Sequence, residues 1–221
     1  MEFKPEIDQE IKIDLPKENV ALEGNLYIPE NAQGLVLFAH GSGSTRHSPR
    51  NRFVAQYLNS GSYATLLFDL LTSSEEAQDL ISANLRFDID LLSSRLSGAT
   101  QWVLNQPQLK EYPIGYFGAS TGAAAALVAS VGRPEVKAIV SRGGRADMAG
   151  SLLREVTAST LLIVGGEDHP IIDLNQRALN ELGTAAKEIQ IVKGATHLFE
   201  EKGALDEVSR LAVDWFIRYL H

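Results

Sequence analysis

Six apolar runs that end in glycine or polar residues constrain the fold of this chain more than any other feature. LVLFAHGSG at 35–43 is the clearest, and PIGYFGAS at 113–120 has the same form. A run that is apolar throughout is typical of a strand buried on both faces of a parallel sheet. The series therefore predicts an α/β fold around a mostly parallel sheet. The other four runs are ATLLFDL (64–70), VKAIVSRGG (136–144), TLLIVGGED (160–168) and EIQIVKGATH (188–197).

Two earlier segments, EIKIDL (10–15) and VALEGNLYI (20–28), alternate between apolar and polar residues. This pattern indicates strands with one exposed face, and we predict that the two pair in antiparallel fashion. Helices are predicted between the runs, at 76–105, 121–131 and 203–220. In the first helix, apolar residues recur at steps of three and four: Ile81, Leu85, Ile89, Leu92, Leu96, Ala99 and Val103. The last helix is expected to bury Leu205, Val208, Leu211, Ala212, Trp215 and Phe216.

Composition limits the classes of protein that fit. The chain has 221 residues, 44% of them hydrophobic, and it contains no repeat or linker, so we predict one globular domain over 1–221. It has no cysteine, which excludes disulfides, thiolate zinc sites and a cysteine nucleophile. The net charge of −8 disfavours a nucleic-acid partner, because phosphate binding needs a basic surface.

The sequence also indicates where in the cell the protein is expected. The first residues, MEFKPEIDQEIKID, lack the apolar stretch of a signal peptide. The longest apolar runs are too short to cross a bilayer. We therefore expect a cytoplasmic protein with no membrane partner. No motif for a metal ion or an organic cofactor is found, so none is expected.

Ser120 lies between Gly118 and Gly122 in the sequence GASTG, where a predicted strand meets a predicted helix. A nucleophilic serine on a sharp strand-to-helix turn has this G-x-S-x-G pattern. The glycines leave room for neighbouring backbone, and the helix directs its first N–H groups towards the serine. The alternative is an ordinary N-cap serine, which is common at helix starts. The motif alone leaves both interpretations open.

A nucleophilic serine needs a base, and the base needs an acid that fixes its tautomer. His197 follows the last predicted strand in KGATHLF, and Asp168 follows the strand before it in IVGGEDHPI. The chain order Ser120, Asp168, His197 is the order that hydrolases built on this type of sheet require. Considered alone, Asp168 could equally be an ordinary exposed loop aspartate, and His197 a histidine that caps a helix. Glu167 is the alternative acid, whereas His169 is expected to be exposed.

The loop FAHGSGSTRHS (38–48) is predicted to complete this site. Its backbone can offer an N–H to a tetrahedral oxyanion, together with the N–H of Thr121. The expected loop donor is Ser42, with Gly41 as the second candidate. A dinucleotide-binding loop is the rival interpretation, but Arg46 stands where the third glycine of G-x-G-x-x-G belongs.

The set HGSGSTRHSPRN, GASTGAAAAL, GGED and GATHLF resembles the α/β-hydrolase superfamily, and more narrowly its dienelactone-hydrolase-like branch. The resemblance covers nearly the whole chain. It implies an eight-stranded sheet with an antiparallel second strand, helices on both faces and a Ser-Asp-His triad. Dienelactone hydrolases carry a cysteine nucleophile, whereas this chain has Ser120, and this departure favours a serine ester hydrolase over one that acts on dienelactone. Since 144–159 is short, the lid should be minimal and the pocket open.

We therefore expect a serine hydrolase that cleaves a small carboxylic ester, thioester or lactone through an acyl-enzyme. A non-catalytic binder of small ligands, an acyltransferase and a peptidase remain alternatives. Three arginines near the predicted site could bind an anionic substrate group: Arg46, Arg142 and Arg145. Alternatively, they pair with acidic residues. His40 and Asp69 are expected to organise loops, and the sequence leaves the oligomeric state open.

Overall fold

The computed structural model describes residues 3–221, and all its strands join one eight-stranded sheet in the order β1-β2-β4-β3-β5-β6-β7-β8. β2 is antiparallel to both of its neighbours, and every other pairing is parallel. The predicted sheet, with its antiparallel second strand, is thus confirmed. The strands are β1 (Gln9–Leu15), β2 (Val20–Tyr27), β3 (Leu35–Ala39), β4 (Ala64–Phe68), β5 (Ile114–Ala119), β6 (Val136–Arg142), β7 (Ser159–Gly165) and β8 (Lys187–Val192).

Helices cover both faces of the sheet, and the central strands show why their sequence is apolar throughout. In β3, Val36 and Phe38 belong to one hydrophobic core, whereas Leu35 and Leu37 belong to the other. α1 and α6 close the first core, and α3, α4 and α5 close the second. The helices are α1 (Pro49–Ser60), α2 (Ser73–Ser82), α3 (Ile89–Leu104), α4 (Thr121–Ser130), α5 (His169–Glu181) and α6 (Ala204–Tyr219), with 3₁₀ helices at Leu85–Phe87 and Ala146–Glu155.

The predicted helix 76–105 is wrong as a single element, because the chain breaks after α2. Ala83 adopts a left-handed conformation with φ 52°, which ends the helix. Asp79 then accepts hydrogen bonds from the backbone N–H groups of Leu85 and Arg86, and α3 starts at a new N-cap, Asp88. Ile81, placed on the buried face by its periodicity, is 92% exposed.

The other two predicted helices are confirmed within two residues as α4 and α6. Four of the six residues expected to be buried in α6 are buried, whereas Leu205 and Leu211 are only partly buried. The connection from β6 to β7 is short, as predicted, and its 3₁₀ helix is kinked at Gly150. In the described part of the chain, no helix is long and apolar enough to span a membrane.

Candidate active site

Ser120 occupies the single residue between β5 and α4, in a conformation that few side-chain-bearing residues adopt. Its φ is 51° and its ψ is −121°, and its side chain makes no capping hydrogen bond. The backbone is held on both sides: the Ser120 N–H donates to Arg142 O at 3.2 Å, and Arg145 N–H donates to Ser120 O at 3.0 Å. A conformation of this kind costs about 1–3 kcal/mol and persists only where the surroundings impose it. Ser120 therefore does not act as an N-cap, the alternative that the sequence left open.

The two glycines beside Ser120 are required by close backbone contacts. A β-carbon on Gly118 would lie 2.5 Å from Ala123 Cα, and one on Gly122 would lie 2.5 Å from His40 O and overlap Ala39 O. The loop after β3 also reaches the serine, since a β-carbon on Gly41 would lie 3.1 Å from Ser120 Cβ. The motif glycines thus allow β3, β5 and α4 to meet at this point.

Asp168 and His197 lie at the ends of β7 and β8 and contact each other directly. His197 Nδ1 and Asp168 Oδ2 are 2.6 Å apart, with the Asp168 side chain 13% and the His197 side chain 37% exposed. A carboxylate at Nδ1 favours the tautomer in which Nδ1 carries the proton and donates, which leaves Nε2 free to accept one. Glu167, the alternative acid, is exposed.

The His197 loop also contacts β6, the strand next to that of the serine. A β-carbon placed on Gly143 would lie 3.5 Å from His197 Nδ1. Gly143 directly follows Arg142, whose carbonyl accepts the hydrogen bond from Ser120 N–H. The structure records no hydrogen bond between Ser120 Oγ and His197. Catalytic hydrogen bonds are often long or poorly aligned before substrate binds.

The predicted oxyanion donors face a small recess beside Ser120. The backbone N–H groups of Thr121, Ser42 and Gly41 have no hydrogen-bond acceptor within residues 3–221. All three residues line a cavity of about 70 Å³, which we call the recess. A larger groove of about 540 Å³ lies between α1 and the strands β2 and β4. The groove contains none of the predicted catalytic or oxyanion-binding residues, whereas the recess is lined by all three predicted oxyanion donors and adjoins Ser120 through Thr121, so the recess is the better candidate.

His40 holds the loop that carries two of these donors. Its Nε2 accepts a hydrogen bond from Leu70 N–H at 3.0 Å, and its Nδ1 lies 3.0 Å from Gly41 O. An accepting Nε2 requires the neutral ring, with the proton on Nδ1. Burial lowers the pKa of His40, which favours this neutral form. His40 is therefore a loop-structuring residue, as the sequence indicated.

Two of the three predicted anion-binding arginines are already engaged by carboxylates. Arg46 forms an ion pair with Asp69, and its backbone N–H also donates to Asp69 Oδ1 at 2.7 Å. Arg145 makes a two-point contact with Asp147 at 2.9 and 2.8 Å. Ion pairing, the alternative in the sequence analysis, describes both side chains. Substrate binding by these arginines stays a prediction.

Arg142 has a different environment. It is 7% exposed, and its Nη2 donates to Asn51 Oδ1 at 3.4 Å, while Nε and Nη1 are buried without a partner in the described structure. Burial, with a smaller contribution from the nearby Arg50, lowers the pKa of Arg142 to about 10. Because Nε and Nη1 are buried, a ligand could reach them only if the surrounding side chains moved.

The sequence analysis missed one part of the site, the segment between β4 and α3. This segment supplies the recess wall opposite the loop at 38–48, which we call the oxyanion loop: Leu71, Glu76, Asp79, Leu80 and Arg86. The signal was present, because Asp79 and Asp88 are typical residues for ending and starting helices. It was masked by apolar residues whose spacing fits one continuous helix. Residues 3–221 hold no cluster of His, Cys, Asp or Glu side chains suited to a metal ion.

Comparisons with known proteins show the family and the fold of this chain. The model of the dienelactone hydrolase family matches residues 22–217. The chain belongs to this family. A crystal structure of a dienelactone hydrolase from Anabaena variabilis is 54% identical, with a TM-score of 0.94 over 97% of this chain and 99% of that one. An esterase from Pyrococcus furiosus, 16% identical with a TM-score of 0.79 over 97% of this chain and 94% of its own, shares the fold.

Two Mycobacterium tuberculosis proteins, from strains CDC 1551 and H37Rv, are 53% identical over 214 residues. Each is named "Putative phosphoribosyl transferase". The match covers 96% of this chain and 47% of each relative, so the chain spans about half the length of these proteins. Family and fold together identify this chain as an α/β-hydrolase of the dienelactone hydrolase family.

Proposed function

We propose that this chain is a serine hydrolase that cleaves a small carboxylic ester, thioester or lactone through an acyl-enzyme at Ser120. The observation that carries the proposal is the backbone of Ser120, held at φ 51° between β5 and α4 with no capping role. Stored strain of this kind is concentrated at functional sites. A serine in this conformation presents its hydroxyl at the carboxyl edge of the sheet, where ligands of open α/β sheets bind.

In the proposed reaction, His197 Nε2 takes the hydroxyl proton of Ser120 as Oγ attacks the substrate carbonyl. Asp168, 2.6 Å from Nδ1, holds the imidazole and stabilises its positive charge. The N–H groups of Thr121 and of Ser42 or Gly41 bind the oxyanion. His197 then gives its proton to the leaving group. Water cleaves the acyl-enzyme by the same steps, with His197 again as base and then as acid.

Other activities have less support. Non-catalytic ligand binding gives no reason for a strained serine beside a paired histidine and aspartate. Acyl transfer and peptide cleavage use the same groups, and product analysis with competing nucleophiles separates them from hydrolysis. The transferase activity in the names of the mycobacterial relatives is not proposed for this chain, which spans about half of those proteins.

The test is turnover of a panel of p-nitrophenyl esters, small thioesters and lactones by the wild type and by Ser120→Ala. We expect the wild type to hydrolyse part of the panel and the variant to lose at least about 10³-fold in kcat, because removing a nucleophile leaves only residual catalysis. Ser151→Ala, an exposed serine in the β6–β7 connection, is the matched control. Undiminished turnover by Ser120→Ala would contradict the proposal.

A further inference from the structure

We propose that the recess is the acyl-binding pocket and that it selects short, uncharged acyl groups, with Leu80 limiting their length and Glu76 excluding carboxylates. This inference rests on the proposed function, because it assigns the two sides of the scissile bond from the proposed direction of attack. It names a substrate class that neither the family match nor the fold specifies.

The lining of the recess shows which part of the substrate it holds. Thr121, Ser42 and Gly41 line it, so a carbonyl oxygen bound by their N–H groups lies at its edge. Ser120, His197 and Asp168 do not line it, and Ser120 adjoins it through its neighbour Thr121. Since His197 protonates the leaving group, the leaving group lies on the histidine side of the carbonyl. The acyl group points the other way, into the recess.

Its size limits the acyl group. The volume of about 70 Å³ is roughly half of the ~150 Å³ cavity that accommodates benzene, which corresponds to about three or four carbon atoms. Leu71, Leu80 and Leu92 supply the apolar part of the wall. Leu92 is buried in the core, whereas Leu80 is 75% exposed on α2 and forms the outer limit of the recess.

The charges at the recess disfavour an anionic acyl group. Three carboxylates and one guanidinium line it: Asp69, Glu76, Asp79 and Arg86. Asp69 is neutralised by Arg46, and Asp79 is neutralised by Arg86 through a contact of 2.5 Å to Nε. Glu76 is exposed and has no ion-pair partner within residues 3–221, so one negative charge is left uncompensated.

Arg86 adds a fixed polar group to this wall. Its Nε and Nη2 donate to the Asp79 side chain and carbonyl, while Nη1 has no acceptor in the described part of the chain. The Nη1 atom of Arg86 packs against the oxyanion loop and is 3.8 Å from the position that a β-carbon on Gly43 would occupy. With its charge balanced by Asp79, Arg86 suits a neutral hydrogen-bond acceptor on the acyl group better than a carboxylate.

The experiment measures kcat/KM for p-nitrophenyl acetate, butyrate, hexanoate and octanoate, and for the mono-p-nitrophenyl ester of succinate. The succinate ester has the acyl length of butyrate and ends in a carboxylate. We expect the wild type to prefer butyrate, with the succinate ester about tenfold or more lower. Leu80→Ala should move the preferred chain to hexanoate or longer. Ile81→Ala, next on the same helix but outside the recess, should leave the wild-type profile unchanged.

The charge is tested separately. Glu76→Gln should raise the ratio of succinate-ester to butyrate turnover about fivefold, the effect of removing one nearby charge in a solvated site. Glu10→Gln, on the exposed edge of β1, is the control and should not change the ratio. A wild type that prefers the succinate ester overturns the proposal and supports anion binding by the arginines. A chain-length profile that Leu80→Ala does not move also overturns it.

These failures are distinguishable from failure of the proposed function. Turnover that depends on Ser120 but is indifferent to Leu80 and Glu76 contradicts the pocket assignment alone. A wild type that hydrolyses none of the esters, and whose Ser120 does not react with a fluorophosphonate, contradicts both proposals.

Discussion

Ser120 shows how much of the site is decided by single residues. A left-handed backbone at a serine is unfavourable by itself, and it is imposed here by hydrogen bonds to Arg142 and Arg145 and by the two flanking glycines. The sequence could predict the position of the serine, because the motif specifies which neighbours must be small. It could not exclude an ordinary N-cap, because that depends on a backbone conformation and a capping hydrogen bond that tertiary contacts determine.

Asp168 and Glu167 are adjacent, and their environments predict different roles. Because Asp168 contacts His197 at 2.6 Å and Glu167 is exposed, Asp168→Asn should lower kcat about 10³–10⁴-fold, as expected when the histidine loses its tautomer and its charge partner. Glu167→Gln is the matched control and should stay within about twofold of the wild type, the ordinary effect of an exposed substitution. Steady-state ester hydrolysis checks both. Similar losses in the two variants would show that the acid is misassigned.

His40 predicts a pH dependence of stability. Its pKa is lowered in the folded chain, so below the ordinary histidine pKa of about 6.5 the unfolded chain binds a proton that the folded chain does not. The stabilising contribution of His40 is therefore complete above that pH and is lost as the pH falls towards the lowered folded pKa. Urea unfolding at pH 5.5 and 7.5 measures it.

His40→Gln removes this titration and serves as the comparison. The free energy of unfolding of the wild type should fall more steeply with decreasing pH than that of the variant, by up to about 1.4 kcal/mol per pH unit, the limit for one proton. Equal slopes would mean that His40 has the same pKa in the folded and the unfolded chain, which would contradict a buried, neutral ring that accepts from Leu70 N–H.

At the level of elements, the site depends on how closely α4 packs against the end of β3. A β-carbon on Gly122 would overlap Ala39 O, and backbone cannot yield as a flexible side chain can. Gly122→Ala should therefore destabilise the protein by about 3 kcal/mol, at the upper end for overpacking, and reduce activity by displacing the oxyanion loop. Urea unfolding and ester turnover report the two effects.

Gly132→Ala separates the close contact from backbone strain. Gly132 has φ +70° but no atom within 4 Å of its β-carbon position, so alanine there should cost only about 1–2 kcal/mol and leave activity unchanged. If the free energy of unfolding of Gly122→Ala were equal to or higher than that of Gly132→Ala, the packing argument would be refuted.

The segment between β4 and α3 marks where sequence-based prediction failed among the elements. Hydrophobic periodicity predicted one helix over 76–105, but Ile81 is 92% exposed outside the recess, its neighbour Leu80 lines the recess, and the chain breaks at Ala83. A helical spacing of apolar residues predicts a buried helix face only when those residues pack into the hydrophobic core. Here Ile81 has the spacing of a core residue but is exposed, so its position in the pattern does not report burial.

For the whole molecule, the sequence predicted the sheet well because buried parallel strands have few alternatives. All eight strands form one sheet, and one domain over 1–221 stays a prediction. The sequence also predicted that Ser120, Asp168 and His197 follow the carboxyl ends of three separate strands, as they do after β5, β7 and β8. The recess was not, because residues from the β3 loop and from α2 meet only in three dimensions.

The central claim is that Ser120 is the nucleophile, and covalent trapping tests it most directly. The protein is incubated with a fluorophosphonate, and the adduct is located by intact mass and peptide mapping. We predict one phosphonyl group on Ser120, with loss of fluoride, and no adduct in Ser120→Ala. An adduct on another residue in the wild type, or ester hydrolysis that persists in Ser120→Ala, would contradict the account.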